Sequence, residues 1–162
     1  MEQLKLPKDL IGKGDVHRIL REINALNDFF VGAKARQPGS SVQMPKTSRT
    51  LETMAAENGL NLFEESVRQQ LYKTLDVLSE SAPSMHISFA SEPSPKALEP
   101  ILSWLRENIH PQILLSVGYQ PSIAAGCVLR STNKIFDMSM GAHLQRQTPL
   151  LMKLLAGSIN GS

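Results

Sequence analysis

Cys127 is the only cysteine in the chain. It stands inside the most patterned stretch of the sequence, "QPSIAAGCVLRSTNKIFDMS", Gln120 to Ser139. A nucleophilic cysteine needs a base and a setting that lowers its pKa, such as a helix N-terminus. Cys127 lies instead in an apolar run of strand character, where free cysteine serves as a small core residue. His17, His86, His110 and His143 fall in four separate segments, with no two at metal-ligand spacing. "IGKGD", Ile11 to Asp15, lacks the preceding strand, the glycine spacing and the Lys-Ser/Thr ending of a phosphate loop. Glu64-Glu65 reads as a solvated helix start that suits the helix dipole. No catalytic residue, metal site or cofactor is expected.

The composition bounds the rest. A chain of 162 residues makes one domain or two small ones, and 41% hydrophobic residues argues against global disorder. One cysteine permits no intramolecular disulfide and fits a reducing compartment. The N-terminus lacks the apolar core of a signal peptide, and no stretch approaches the roughly 20 apolar residues needed to span a bilayer. The expectation is a soluble, cytoplasmic protein. Lys/Arg outnumber Asp/Glu nine to five in residues 1–50 and five to two in 101–162, and trail three to eight in 51–100. The basic ends carry no dense stripe with aromatics alongside, so nucleic acid is not the expected partner.

Periodicity divides the chain at Pro83. Val16, Ile19, Leu20, Ile23, Leu26 and Phe30 predict a helix from Asp15, its N-cap, to about Lys34. "ARQPGSSVQMPKTS", residues 35–48, is a flexible connector. A short helix over Thr50 to Glu57 ends at Asn58-Gly59. Asn61 with Glu64 opens a third helix, whose stripe is Phe63, Val67, Leu71, Leu75 and Leu78. Beyond Pro83, "MHISFA" alternates as a half-buried strand. Ser94-Pro95 opens a helix with Leu98, Ile101, Leu102, Leu105 and Ile109 inward, and Pro100 inside it. Trp104 falls just off that stripe, either packed or an exposed contact. "QILLSV" reads as a central strand buried on both sides, parallel to the first. Ala124 to Arg130 and Lys134 to Phe136 flank "STN" as a hairpin. Asp137 or Ser139 caps a last helix with Met140, Leu144, Leu151 and Leu155 on its stripe. The expected core of this half includes Met85, Ile87, Phe89, Leu102, Leu105, Leu114, Val117, Val128 and Leu144. The expected fold is α+β: a helical region over residues 1–82, a small β-α-β-β-β-α domain over 83–157, and a tail over 158–162.

Pro121, Ile123, Gly126, Arg130, Asp137 and Ser139 occur in an order and spacing that resembles the C-terminal signature of the δ subunit of F-type ATP synthases, the oligomycin-sensitivity-conferring family. The resemblance covers roughly residues 83–155. Ala125 stands where the first of two paired glycines is usual, and Thr132-Asn133 replaces a Gly-Asp turn. The family's six-helix N-terminal domain is matched here by three evident helices. The resemblance implies a non-catalytic protein that joins the α subunits of the catalytic head to a helical stator-stalk subunit in proton-driven ATP synthesis. It also implies a place at the membrane only through that complex. Pro121, Gly126, Arg130, Asp137 and Ser139 are then structural, and Met138, Met140 and Met152 are candidate partner contacts. The alternative is a generic α+β module, binding protein or nucleic acid, that reuses a δ-like domain.

Overall fold

The computed structural model describes residues 4–34, 43–131 and 133–159. Three helices lead: α1 (Lys13–Lys34), α2 (Arg49–Glu57) and α3 (Glu65–Ser81). Then follow β1 (Ser84–Phe89), α4 (Pro95–Asn108), β2 (Leu114–Tyr119), a single 3-10 turn (Pro121–Ile123), β3 (Gly126–Arg130), β4 (Ile135–Ser139) and α5 (Met140–Ile159). A helical part followed by a small mixed sheet makes this an α+β protein. The chain forms two compact units. One holds residues 1–83 and 95–114, the other residues 84–94 and 115–162.

In the helical unit α1 packs against α3 over a core that includes Val16, Ile19, Ile23, Leu26, Leu51, Met54, Leu71, Leu75, Leu78 and Leu114. The α1 periodicity is therefore realised as read. Asp15 lies in the first turn of the helix rather than at its cap. Its Oδ2 accepts the Ile11 and Gly12 N–H groups at 3.0 and 3.1 Å, the reach-back half of a capping box. α2 ends as its Asn58-Gly59 pair predicts. Gly59 takes φ +62, and the Leu60 and Gly59 N–H groups donate to the Ala55 and Ala56 carbonyls, which satisfies two orphan acceptors. Asn61 holds a turn before α3 by accepting the Phe63 N–H, so the helix begins later than read. Phe63 is correspondingly 69% exposed and lies off the core stripe.

Two arginines tie the loops of this unit down. Arg68, 2% exposed, donates to Asn27 Oδ1 at 2.6 Å and to the Leu62 carbonyl at 2.8 Å, with its guanidinium 4.5 Å from the centre of the Phe30 ring. Arg106 on α4 donates to the carbonyls of Leu6, Pro7 and Leu10, at 3.3, 2.7 and 2.6 Å. Burial pushes its pKa down to about 10, and nearby Asp9 opposes that shift. The side chain therefore stays charged at neutral pH. The segment before α1 is held at its other side by Asn58, which exchanges two hydrogen bonds with the Lys5 backbone.

The sheet order is β2-β1-β3-β4. β1 and β2 run parallel, since Leu114 N–H donates to the Pro83 carbonyl and Gln120 N–H to the Phe89 carbonyl. β1 pairs β3, and β3 pairs β4, in antiparallel register. β2 is thus an edge strand, not the central strand its apolar run predicts. The run has another use: Ile113 and Leu114 are buried, and Leu114 belongs to the helical core. Met85, Ile87, Leu102, Leu105, Leu114 and Val128 are buried as read and Phe89 is half-buried. Val117 and Leu144 are exposed, which corrects their placement in the core.

Arg106→Met should destabilise the protein by about 2–4 kcal/mol, because it takes the guanidinium from the Leu6, Pro7 and Leu10 carbonyls, of which that of Pro7 keeps the Leu10 N–H. The check is thermal or urea unfolding beside the parent. Unchanged stability would show that water replaces the guanidinium at no cost.

Candidate functional site

The hairpin holds Gly126, Arg130, Asp137 and Ser139, the turn before it holds Pro121 and Ile123, and backbone geometry fixes their arrangement. Pro121 opens the 3-10 turn, which buries Ile123. The next residue, Ala124, takes φ 61 and ψ −58, and the Ala125 N–H bonds back to the Ile123 carbonyl at 2.7 Å. This is a γ-turn in the strained positive-φ form, rare for a residue with a side chain. It ends the run read as strand from Ala124, so that β3 starts at Gly126.

Gly126 has φ +91, and a Cβ there would stand 2.5 Å from the Met138 carbonyl oxygen. Glycine is required on both counts, conformation and contact. The register pairs Gly126 with Ser139, Cys127 with Met138, Val128 with Asp137 and Arg130 with Ile135. Asp137, read as a helix cap, therefore lies within β4. Ser139 is the cap: its Oγ accepts the Ala142 N–H at 3.2 Å. Asp137 in turn accepts the Ser139 N–H on Oδ1 at 2.9 Å. The Ser139 hydroxyl and N–H hold the Asp137 carboxyl below its usual range, with Arg146 adding to the effect. Met140 N–H closes the corner by donating to the Ala125 carbonyl at 2.8 Å.

The corner presents apolar side chains to solvent. Ile135, Phe136, Met138, Met140 and Leu144 are between 47% and 66% exposed. Across Met140 to Pro149 only Ala142 is even half-buried. A cavity of about 380 Å³ lies at the corner, lined by Gly126, Asp137, Met138, Met140, His143 and Arg146 among others. The structure so brings Met138 and Met140 together. Met152 lies on α5 with its side chain outside the described residues. Arg130 is exposed on β3, cross-strand from both His86 and Ile135. The sequence reading missed Ile135, Phe136 and Leu144 as surface residues. Their signal was a strand pattern apolar at adjacent positions, Ile135 and Phe136, which points to both faces at once.

Cys127 and the histidines stay apart. Cys127 is half-buried in β3, and desolvation pushes its thiol pKa up, away from the reactive thiolate. His86 Nδ1 and Nε2 sit 3.2 and 3.1 Å from the Ser116 and Ser88 hydroxyls. His110 Nδ1 accepts the Gln112 N–H. No cluster of three potential metal ligands occurs among the described residues. Trp104, left open by sequence, is 57% exposed on α4.

A helical unit and a small mixed sheet, with exposed apolar side chains at one end of the sheet unit, define an α+β protein. The model of the ATP synthase delta (OSCP) subunit family matches residues 35–151, more than half of the chain, and the chain belongs to that family. It is also 26% identical over 109 residues to ATP synthase subunit delta of Enterobacter sp. (strain 638). That match takes in 67% of this chain and 61% of the relative, less than two thirds of its length.

Gly126→Leu should lower stability by about 2–4 kcal/mol, since the side chain would meet strand backbone that has no room to move. A variant that melts like the parent would show that the hairpin opens there without cost. Ala124→Gly should act the other way and raise the midpoint by the equivalent of about 1 kcal/mol, by relieving the γ-turn. An unchanged or lower midpoint would mean that the turn holds no such strain.

Proposed function

We propose that this chain is a non-catalytic peripheral-stalk subunit of an F-type ATP synthase. In this role it couples the catalytic head to the stator stalk during proton-driven ATP synthesis. The observation that carries the proposal is the family match across residues 35–151, which runs through helices of one unit and strands of the other. A clamp must offer surfaces rather than a reaction centre, and the β4–α5 corner is such a surface. No helix among the described residues is long and apolar enough to cross a membrane. That is consistent with a place on the membrane through the complex.

Within this reading residues 83–157 are the family's C-terminal domain, and the α subunits of the head are the second partner. The signature residues then act as scaffold. Pro121 sets the turn before β3, Gly126 admits the close strand crossing, Arg130 closes β3, and Asp137 with Ser139 sets the start of α5. Met138, Met140 and Met152 contact the stalk helix, a use that suits the adaptable methionine side chain.

The test is a titration of the full chain with the stalk subunit of the same source. A saturable complex is expected, and Met138→Ser with Met140→Ser should weaken it at least about ten-fold. Absence of binding would overturn the stalk assignment. Unweakened binding by the double variant would remove the two methionines from the contact.

A further inference from the structure

The sheet has two edge strands, β2 and β4, and only β4 is guarded against pairing. Asp137 stands within β4, Lys134 precedes it, and the Ser139 N–H is already taken by Asp137. Charges so placed keep an edge from recruiting another strand. β2 holds neither a charge nor a proline. Residues 108–129 around it contain no Asp, Glu, Lys or Arg, the longest such stretch in the chain.

The ladder fixes which backbone groups of β2 face outward. Leu114 N–H donates to the Pro83 carbonyl and Gln120 N–H to the Phe89 carbonyl. Backbone groups alternate in direction along a strand, so those of Ser116 and Gly118 also point to β1. Those of Leu115, Val117 and Tyr119 point away. Side chains agree with this register: His86 Nδ1 lies 3.2 Å from Ser116 Oγ, and a Cβ on Gly118 would stand 2.7 Å from His86 Nε2. The imidazole thus fills the side-chain space that Gly118 leaves on this face. Val117 and Tyr119 are 39% and 65% exposed. Among the described residues no backbone group bonds to the outward side of β2.

We infer that β2 is a self-association edge, at which two copies of this chain pair antiparallel about a two-fold axis at Val117. This pairing is a property of the chain on its own and does not rest on the peripheral-stalk reading. Register, sterics and charge each select a second copy. With the axis at Val117, Leu115 faces Tyr119, Val117 faces Val117 and Tyr119 faces Leu115, so every outward residue finds a hydrogen-bonding partner. An axis at Ser116 or Gly118 would pair only two of the three. Between these pairs lie the non-hydrogen-bonded ones, where side chains come closest. There Ser116 meets Gly118, and the smallest residues of the strand fall where room is least. An uncharged strand meets no repulsion from its own copy and offers a charged partner nothing. Pairing would also remove both open edges and join two four-stranded sheets into one.

Sedimentation velocity on the full chain tests this. So short a strand pair makes a small interface, so a reversible dimer with Kd on the order of 10 μM is expected. Val117→Lys and Val117→Glu should each sediment as monomers, because the substituted residue meets itself on the axis. An equimolar mixture of the two should regain the dimer. Val117 is exposed, so both variants should keep the parent's melting transition. Cross-linking reads the register without adding charge. In a Cys127→Ser background, Val117→Cys should oxidise to a covalent dimer, since Cα atoms of a hydrogen-bonded pair are about 5.5 Å apart, within disulfide reach. Ser116→Cys in the same background should not, because Gly118 stands opposite. A parent that stays monomeric to about 300 μM, or forms only larger aggregates, would overturn the inference. So would a dimer untouched by charge at position 117, a Lys/Glu mixture that remains monomeric, or equal cross-linking at 116 and 117.

Discussion

The crossing of two backbones at Gly126 sets the form of the sheet unit's exposed end. With no Cβ on Gly126, the Met138 carbonyl can lie where a side chain would stand, and β3 and β4 keep their register to the last residue of the strand. Ser139 then arrives with its hydroxyl placed to cap α5 and its N–H placed on Asp137. Met140 N–H reaches the carbonyl of Ala125, whose position depends on the γ-turn at Ala124. Each bond fixes the next, so a single glycine governs the direction in which α5 leaves the sheet. The strain at Ala124 belongs to the same device. A relaxed backbone there would turn the Ala125 carbonyl away from the helix start.

Most elements were legible because their local signals agreed with their final surroundings. α1 shows its stripe, α2 its Asn-Gly ending, and β1 its alternation, and each buries the residues the pattern marks. The misreadings share one cause: a pattern reports which residues are apolar, not what covers them. Leu144 sits at helical spacing from Met140, as a core residue would, yet nothing among the described residues covers it. Ile113 to Leu115 form the continuous run of a central strand and all three are buried, but β2 is an edge strand and Leu114 belongs to the core of the helices. Phe63 has the right interval for the α3 stripe and lies ahead of the helix altogether, because Asn61 holds a turn there. Asp137 and Ser139 look like competing caps in sequence. They act in series, the first capping the strand end and the second the helix.

Buried Arg68 and half-buried Arg106 solve a different problem. Segments without regular structure carry carbonyls that need donors, and a guanidinium offers five N–H groups on one rigid plane. Arg106 gathers three carbonyls from the segment before α1, and Arg68 takes a carbonyl and an amide while resting on the Phe30 ring. Neither needs a carboxylate partner to be useful. Lysine could not substitute, since its three donors diverge from one point and cannot match carbonyls spread along a chain.

The uncovered corner is best understood through its energetics. Full burial of a large apolar side chain supplies about 1.5–3 kcal/mol, and one left about half exposed forgoes roughly half of that. Five such side chains at this end of the sheet unit therefore represent a stabilisation that the isolated fold leaves unused. The first half of α5 gains little from its own unit in compensation: Met140 to Pro149 is almost entirely exposed, and Gly141 and Pro149 are poor helix formers. A free chain with such a surface invites aggregation unless charge keeps copies apart. The exposed cations Arg130, Lys134 and Arg146 serve that end.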